Sequence, residues 1–278
     1  MSTSVSVPAV EGRERAARVD AHGWRIVAGQ ECRDLWVNGR GPFLIFGFSV
    51  LLSGVTYLAA TNLDINFLEQ REAVNLTLQM AVAVGVLVTL VVSADGLSGE
   101  RERGTLESLL LTPVSRRAIV TGKLVAALSV WFVAFVVTVP YLWVLGRGVS
   151  IVVQAVLLGL LVGTLVALGL AALGLLISAV STSNKVSLAV SLFLLLALFA
   201  PTQLPSGLPQ GWFFDVLARL NPVTAALHYI SAVLVSGHAW TRDLSYLVSP
   251  ILTVVLAGGA LIVLAPRIVR LHGGVSGE

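Results

Sequence analysis

Long uninterrupted apolar blocks separated by short polar stretches set the pattern of this chain. A bilayer crossing takes about 20 predominantly apolar residues in a helix rising ~1.5 Å per residue. Five blocks reach that length: Pro42–Ala60, Ala73–Ala94, Leu124–Leu145, Ile151–Val180 and Leu247–Pro266. A sixth, Val186–Ala200, is short by itself and reaches it when taken from Ser183 to Gln203, with Lys185 snorkelling to the interface. The fourth block exceeds one crossing, which predicts tilt or projection beyond the bilayer. The pattern therefore predicts an all-α membrane protein of six transmembrane helices.

Three further segments follow other patterns. Over Gly23–Asn38, Trp24, Val27, Ala28, Leu35 and Trp36 fall near one face, with Arg25, Glu31, Arg33 and Asp34 on the rest. That predicts an amphipathic helix lying on the membrane surface and leading into the first span. Pro222–Ser236 is apolar but too short to cross, at ~1.5 Å per residue. With Asn221 as its cap and Pro222 at the first helical position, it reads as a helix that dips into the outer leaflet and returns. An ordered outer loop is the alternative. Ahead of it, Phe213, Val216, Leu217 and Leu220 keep i, i+3, i+4, i+7 spacing, flanked by Trp212 and Phe214, which suggests a short interfacial helix. Residues 1–22 carry no apolar periodicity and read as a disordered tail, and their mix of Arg with Glu and Asp is unlike a signal peptide.

Composition agrees. With 56% hydrophobic and 12% charged residues, the chain has too little polar material to cover a soluble domain of 278 residues. Distribution of the 18 Lys and Arg sets the orientation. With the N-terminus inside, fourteen lie on inner segments: Arg13, Arg15, Arg18, Arg25, Arg33, Arg40, Arg101, Arg103, Arg116, Arg117, Lys123, Lys185, Arg267 and Arg270. Only Arg71, Arg147, Arg219 and Arg242 lie outside. Both termini are expected in the cytoplasm, and the C-terminal tail, 267–278, carries two of the inner charges. No basic and aromatic residues interleave as nucleic-acid binding requires. A single cysteine, Cys32, excludes an intrachain disulfide and a CxxC motif.

Candidate chemistry is sparse. The predicted span cores hold no Asp, Glu, Lys, Arg or His, which counts against an ion-coupled carrier or proton pump. His22, His228, His238 and His272 have no metal-binding spacing, and no metal ligands or catalytic residues are expected. Gly122-Lys123 is the one fragment of a phosphate-binding loop. Arg117 stands where its first glycine belongs, and Leu124 where a hydroxyl would bind Mg²⁺. If ATP drives this protein, another chain hydrolyses it. Within the fourth block, Gly159, Gly163, Ala167 and Ala171 recur every four residues, a small-residue stripe that lets a neighbouring helix approach closely.

The inner loop 95–123 reads DGLSGERERGTLESLLLTPVSRRAIVTGK. Leu106, Leu109 and Leu110 make an apolar ridge beside Glu102, Arg103 and Glu107. Pro113 disfavours helical geometry at Thr112, and Ser115 is placed to cap a helix running through Arg116, Arg117 and Lys123. The expectation is a stiff helix, corner, helix element. An ordinary positive-inside loop is the plainer alternative.

Glu100-Arg101-Glu102-Arg103-Gly104-Thr105-Leu106-Glu107, followed by Leu110, Thr112, Pro113, Arg116 and Arg117, resembles the signature loop of the ABC-2 type permeases, the membrane subunits of type V-fold ABC exporters. Glu31-Cys-Arg-Asp34 and Leu220-Asn-Pro222 resemble further family features, and the likeness runs from about residue 24 to 266. Cys32 departs from the usual apolar residue, and the basic residue often found after Asn-Pro is absent before His238. The resemblance implies a transmembrane domain over 42–266, preceded by an interfacial helix over 23–41, with a coupling loop at 95–123 and an outer re-entrant region at 204–246. It also implies two copies of a separate ABC ATPase carrying ATP and Mg²⁺, a second permease copy or paralogue, and residence in the plasma membrane. No cofactor is expected on this chain itself. The implied activity is export of a hydrophobic or amphiphilic compound, drug, lipid or glycolipid-like. An ion-coupled transporter or channel, and a membrane scaffold for an assembly factor, are the other readings.

Overall fold

The computed structural model describes residues 9–61, 67–106, 111, 112, 114–148, 150–203, 216 and 219–268, and among these it is helical with no strand. In chain order the helices are α1 (Ala9–Val37), α2 (Arg40–Thr61), α3 (Phe67–Glu102), α4 (Arg116–Leu145), α5 (Val152–Val180), α6 (Asn184–Phe199), α7 (Pro222–Leu234) and α8 (Val248–Ile268). Six of them, α2 to α6 and α8, are long and apolar enough to cross a membrane. All six predicted spans are therefore present.

Two boundaries differ from expectation. Helix α1 starts at Ala9, so much of the stretch read as a disordered tail is helical. Helix α3 has 36 residues, about 54 Å, and does not stop at Ala94. It continues through the first part of the expected loop because its polar residues find partners there. Its end is a glycine cap. Gly104 adopts φ +71°, its N–H donates to Arg101 O, and Thr105 N–H donates to Glu100 O. That pair of bonds satisfies carbonyls the helix would otherwise leave open. The next helix starts where predicted: Ser115 Oγ accepts from Ala118 N–H at 3.2 Å, capping α4 at Arg116.

The core lies among α3, α4, α5 and α7. Val74, Leu78, Val82, Val86 and Leu90 of α3 meet Trp131 and Phe135 of α4 and Leu158, Val162 and Val166 of α5. The predicted small-residue stripe sits at this junction. A Cβ on Gly159 would stand 2.7 Å from Leu78 and from Phe135, and one on Gly163 would stand 2.7 Å from Trp131. Ala167 and Ala171 continue the stripe with no exposed surface. The neighbours belong to the same chain. Residues Gly159–Gly163 form a single π-helical turn, and Trp131 Nε1 donates to Thr164 Oγ1 at 2.9 Å just beyond it.

Overfilling this junction has a defined consequence. Leu at position 163 must displace Trp131 and Val82, and overpacking costs about 1–3 kcal/mol or more. Gly163→Leu is expected to lower the yield of monodisperse protein sharply, while Leu160→Ala, at a site 37% exposed, leaves it near wild type. Size-exclusion profiles after extraction in one detergent check both, and a normal profile for Gly163→Leu would remove the stripe from the packing argument.

Helix α7 has 13 residues, too few to cross a membrane, yet Val223, Ala226, Leu227, Tyr229, Ile230, Val233 and Leu234 lie in the main core. Asn221 caps it as predicted: Oδ1 accepts from Val223 N–H at 3.0 Å and Thr224 N–H at 3.2 Å. The interfacial helix expected just before it rests on Phe213, Leu217 and flanking residues that lie outside the described set. Val216 and Leu220 are exposed.

Candidate functional site

The α3–α4 connection and α1 share one end of the bundle, and most of the predicted site residues collect there. Helix α1 lies along α4 because Gly122 leaves room: a Cβ there would stand 2.7 Å from Val27 and 3.0 Å from the Ala28 nitrogen. Val27 and Ala28 are buried in this contact, and Trp36 Nε1 donates to Ser129 Oγ at 3.0 Å. Arg33 stays exposed, as read for the polar side, whereas Trp24, read on one face with Val27 and Ala28, is exposed while those two are buried.

Lys123 follows Gly122 and is the centre of the site. Its side chain is 3% exposed, with Nζ 2.6 Å from Glu31 Oε1 and 2.5 Å from Glu100 Oε1. One ammonium thus joins α1, α3 and α4. The Gly-Lys pair, excluded as a phosphate loop by Arg117 and Leu124, is helix interior, its glycine a packing notch and its lysine an ion-pair centre. Glu100 Oε2 is buried with no hydrogen-bond partner among the described residues. Beside this cluster Asp95 pairs with Arg40 at 2.9 Å and with Arg103 at 3.6 Å. Together the two groups border a cleft of about 830 Å³ between α1, α3 and α4.

The last turns of α3 are also laced to the α5–α6 turn. Ser178 Oγ accepts from Leu97 N–H at 3.0 Å and Ser98 N–H at 2.8 Å. Arg101 donates to the carbonyls of Ser181 and of Ala179, the latter at 3.0 Å. Glu102 Oε2 accepts from Asn184 N–H at 3.2 Å, and Asn184 Nδ2 donates to Asp95 Oδ1 at 2.7 Å.

The residues read from the sequence as one charged, apolar-ridged element therefore divide. Glu100 and Arg101 turn inward and hold helices together. Leu106 is 6% exposed and packs with Leu97, Val120, Leu175 and Leu261, so it is core and no part of a displayed ridge. Glu102, Arg103, Gly104, Thr105, Leu111, Thr112 and Arg117 remain exposed, with Arg116 half-buried. Glu107, Leu109, Leu110 and Pro113 lie outside the described residues. Asp95, Lys123 and Asn184 were not among the sequence candidates. A lysine embedded in an apolar helix needs a partner, so Lys123 carried a signal that some carboxylate faces it, though not which one.

Chemically this end is a rigid mount. The described residues contain no group of His, Cys, Asp and Glu able to hold a metal, and the assembled side chains are ion pairs and helix caps. What the site can do is hold the described flanks of the α3–α4 connection against α1, α5 and α6. The family whose sequence profile matches residues 30–271 is described as ABC-2 family transporter protein. A search of curated proteins finds no match.

Proposed function

Because this chain belongs to the ABC-2 family of transporter proteins, we propose that it is the permease of an exporter for a hydrophobic or amphiphilic compound, drug, lipid or glycolipid-like. It is a multi-pass membrane permease, and its general partner is an ABC ATPase. In the proposed assembly two permeases, identical or paralogous, stand on two ATPases that hold the ATP and Mg²⁺, in the plasma membrane. The α1 end faces the cytoplasm, and α7 enters the outer leaflet as an external closure.

One observation carries the coupling role: the described flanks of the α3–α4 connection are exposed at Glu102, Arg103, Gly104, Thr105, Leu111 and Thr112, yet Gly104 caps α3, Ser115 caps α4, and Lys123 and Arg101 brace the helices beneath. A rigid surface element of this kind can pass on rigid-body motion of a docked ATPase. The predicted span cores carry no charged side chain, which favours an apolar or amphiphilic cargo over an ion.

Vesicle uptake with and without ATP, using permease co-expressed with its ATPase, tests the reading. An ATP-dependent flux supports it, and ATP-independent flux or no flux would favour the ion-coupled or scaffold reading. Orientation is checked separately in a Cys32→Ser background. Cysteine at the exposed Leu220 is expected to react with an impermeant thiol reagent in intact cells, and cysteine at the exposed Val37 only after the membrane is opened. Labelling of position 37 in intact cells would invert the topology.

A further inference from the structure

We propose that α6 is a rod that carries displacement of the α3–α4 turn to α7, with Asn184 and Asn221 as the positioning residues at its two ends. The proposal rests on the docking role of that turn.

At its first turn α6 is tied to α3 through Asn184 and Ser187. Asn184 donates from Nδ2 to Asp95 Oδ1 at 2.7 Å and from its backbone N–H to Glu102 Oε2 at 3.2 Å, and its Oδ1 accepts from Ser98 Oγ at 3.1 Å. Ser187 Oγ adds a bond to Ala94 O at 2.7 Å. At the other end, about 21 Å away for fourteen residues of helix, Leu198 O accepts from Asn221 Nδ2 at 2.7 Å. The same Asn221 caps α7 with its Oδ1, so one side chain joins the last turn of α6 to the first turn of α7.

Between those ends α6 lies along α3 on one face and is open on the other. Its fully buried residues are Ser187, Ser191 and Leu195, and its remaining surface is apolar and largely open. A helix held by polar bonds at both ends and packed along one face moves as a unit when either end is displaced. Interiors so packed switch between discrete arrangements and do not deform continuously. A displacement of Glu102 by a docked ATPase therefore reaches Asn184 directly, and Asn221 through the length of α6.

The two amides can be tested separately. Asn184→Ala removes the side-chain bonds to Asp95 and Ser98. Asn221→Asp keeps the acceptor that caps α7 and replaces the donor to Leu198 with a carboxylate oxygen that repels that carbonyl. In vesicles with the ATPase bound, Asn221→Asp, remote from the docking end, is expected to leave ATPase association and basal hydrolysis unchanged. Each variant is expected to lower transport per ATP hydrolysed about 5-fold or more. The double variant should be no worse than the poorer single one, since both cut the same rod. Labelling of Leu220→Cys from outside should differ between nucleotide-free and ATP-bound wild type, with the difference abolished in both variants. Wild-type transport per ATP in either single variant, additive losses in the double, or retained nucleotide-dependent labelling would overturn the rod. A wild-type permease that neither retains an ATPase nor shows ATP-dependent flux would instead remove the docking reading, and the rod with it. Ser187→Ala, which deletes one bond to α3, carries the same expectation if Asn184→Ala misfolds.

Discussion

Lys123→Met is expected to destabilise the protein more than any other single charge removal at the α1 end. The Lys123 ammonium is 3% exposed and lies within 2.6 Å of carboxylate oxygens from Glu31 and Glu100. Without it, two carboxylates face each other in a partly buried site, where breaking a buried ion pair costs about 3–5 kcal/mol. Methionine keeps the volume of the stem, so the loss is electrostatic and not a cavity. The charge-neutral triple variant Glu31→Gln, Glu100→Gln, Lys123→Met should recover most of the loss, because no buried charge is then left unpaired. Thermal unfolding in detergent measures both, and protease cleavage within α1 reports whether that helix detaches first. Wild-type stability for Lys123→Met would show that the triad contributes nothing to holding α1.

The second large effect belongs to association. Arg117 is exposed at the start of α4, and Glu107 and Leu110 stand in the same signature stretch. Apolar and Arg anchors at an interface each contribute roughly 2 kcal/mol or more, or about 30-fold in affinity. Exposed ion pairs contribute only about 0–1 kcal/mol to stability. Glu107→Ala, Leu110→Ala and Arg117→Ala are thus expected to express well, run monodisperse and recover less ATPase on co-purification, with transport falling in parallel. A loop that only sets topology predicts silence for Glu107→Ala and Leu110→Ala, since neither removes a positive charge. Leu106→Ala is the internal contrast. It is buried, so truncation should cost about 2–5 kcal/mol of stability. Wild-type complex recovery for both Leu110→Ala and Glu107→Ala would leave the docking role without support.

The burial of Leu106 shows where reading the chain reaches its limit. Spacing at i, i+3, i+4 establishes that leucines share a helical face, yet nothing local states whether that face meets protein or partner. The answer for Leu106 comes from Leu175 of α5 and Leu261 of α8, far away along the chain. The end of α3 has the same origin. A polar run from Asp95 onward looks like a loop by hydropathy, but Asp95, Ser98 and Glu102 all find partners at Asn184 and the helix continues. Once begun, a helix extends until its capping geometry or a competing bond stops it, here at Gly104. Hydropathy registers the wish of a side chain for water and cannot register a partner eighty residues on.

What the sequence determined by itself rests on short-range physics. Six spans follow from block length against bilayer thickness, because every peptide group in lipid must be paired within its own helix. Caps at Ser115 and Asn221 follow from side chains that reach a backbone N–H two or three residues away. The small-residue stripe at Gly159 and Gly163 was legible as a place of close approach. That Trp131 and Phe135 of the same chain fill it was decided only in three dimensions. So were the roles of Gly122 as a packing notch and Lys123 as an ion-pair centre. A buried charge is stable only where opposite charge arrives from other helices, and Glu31 and Glu100 lie 92 and 23 residues from Lys123.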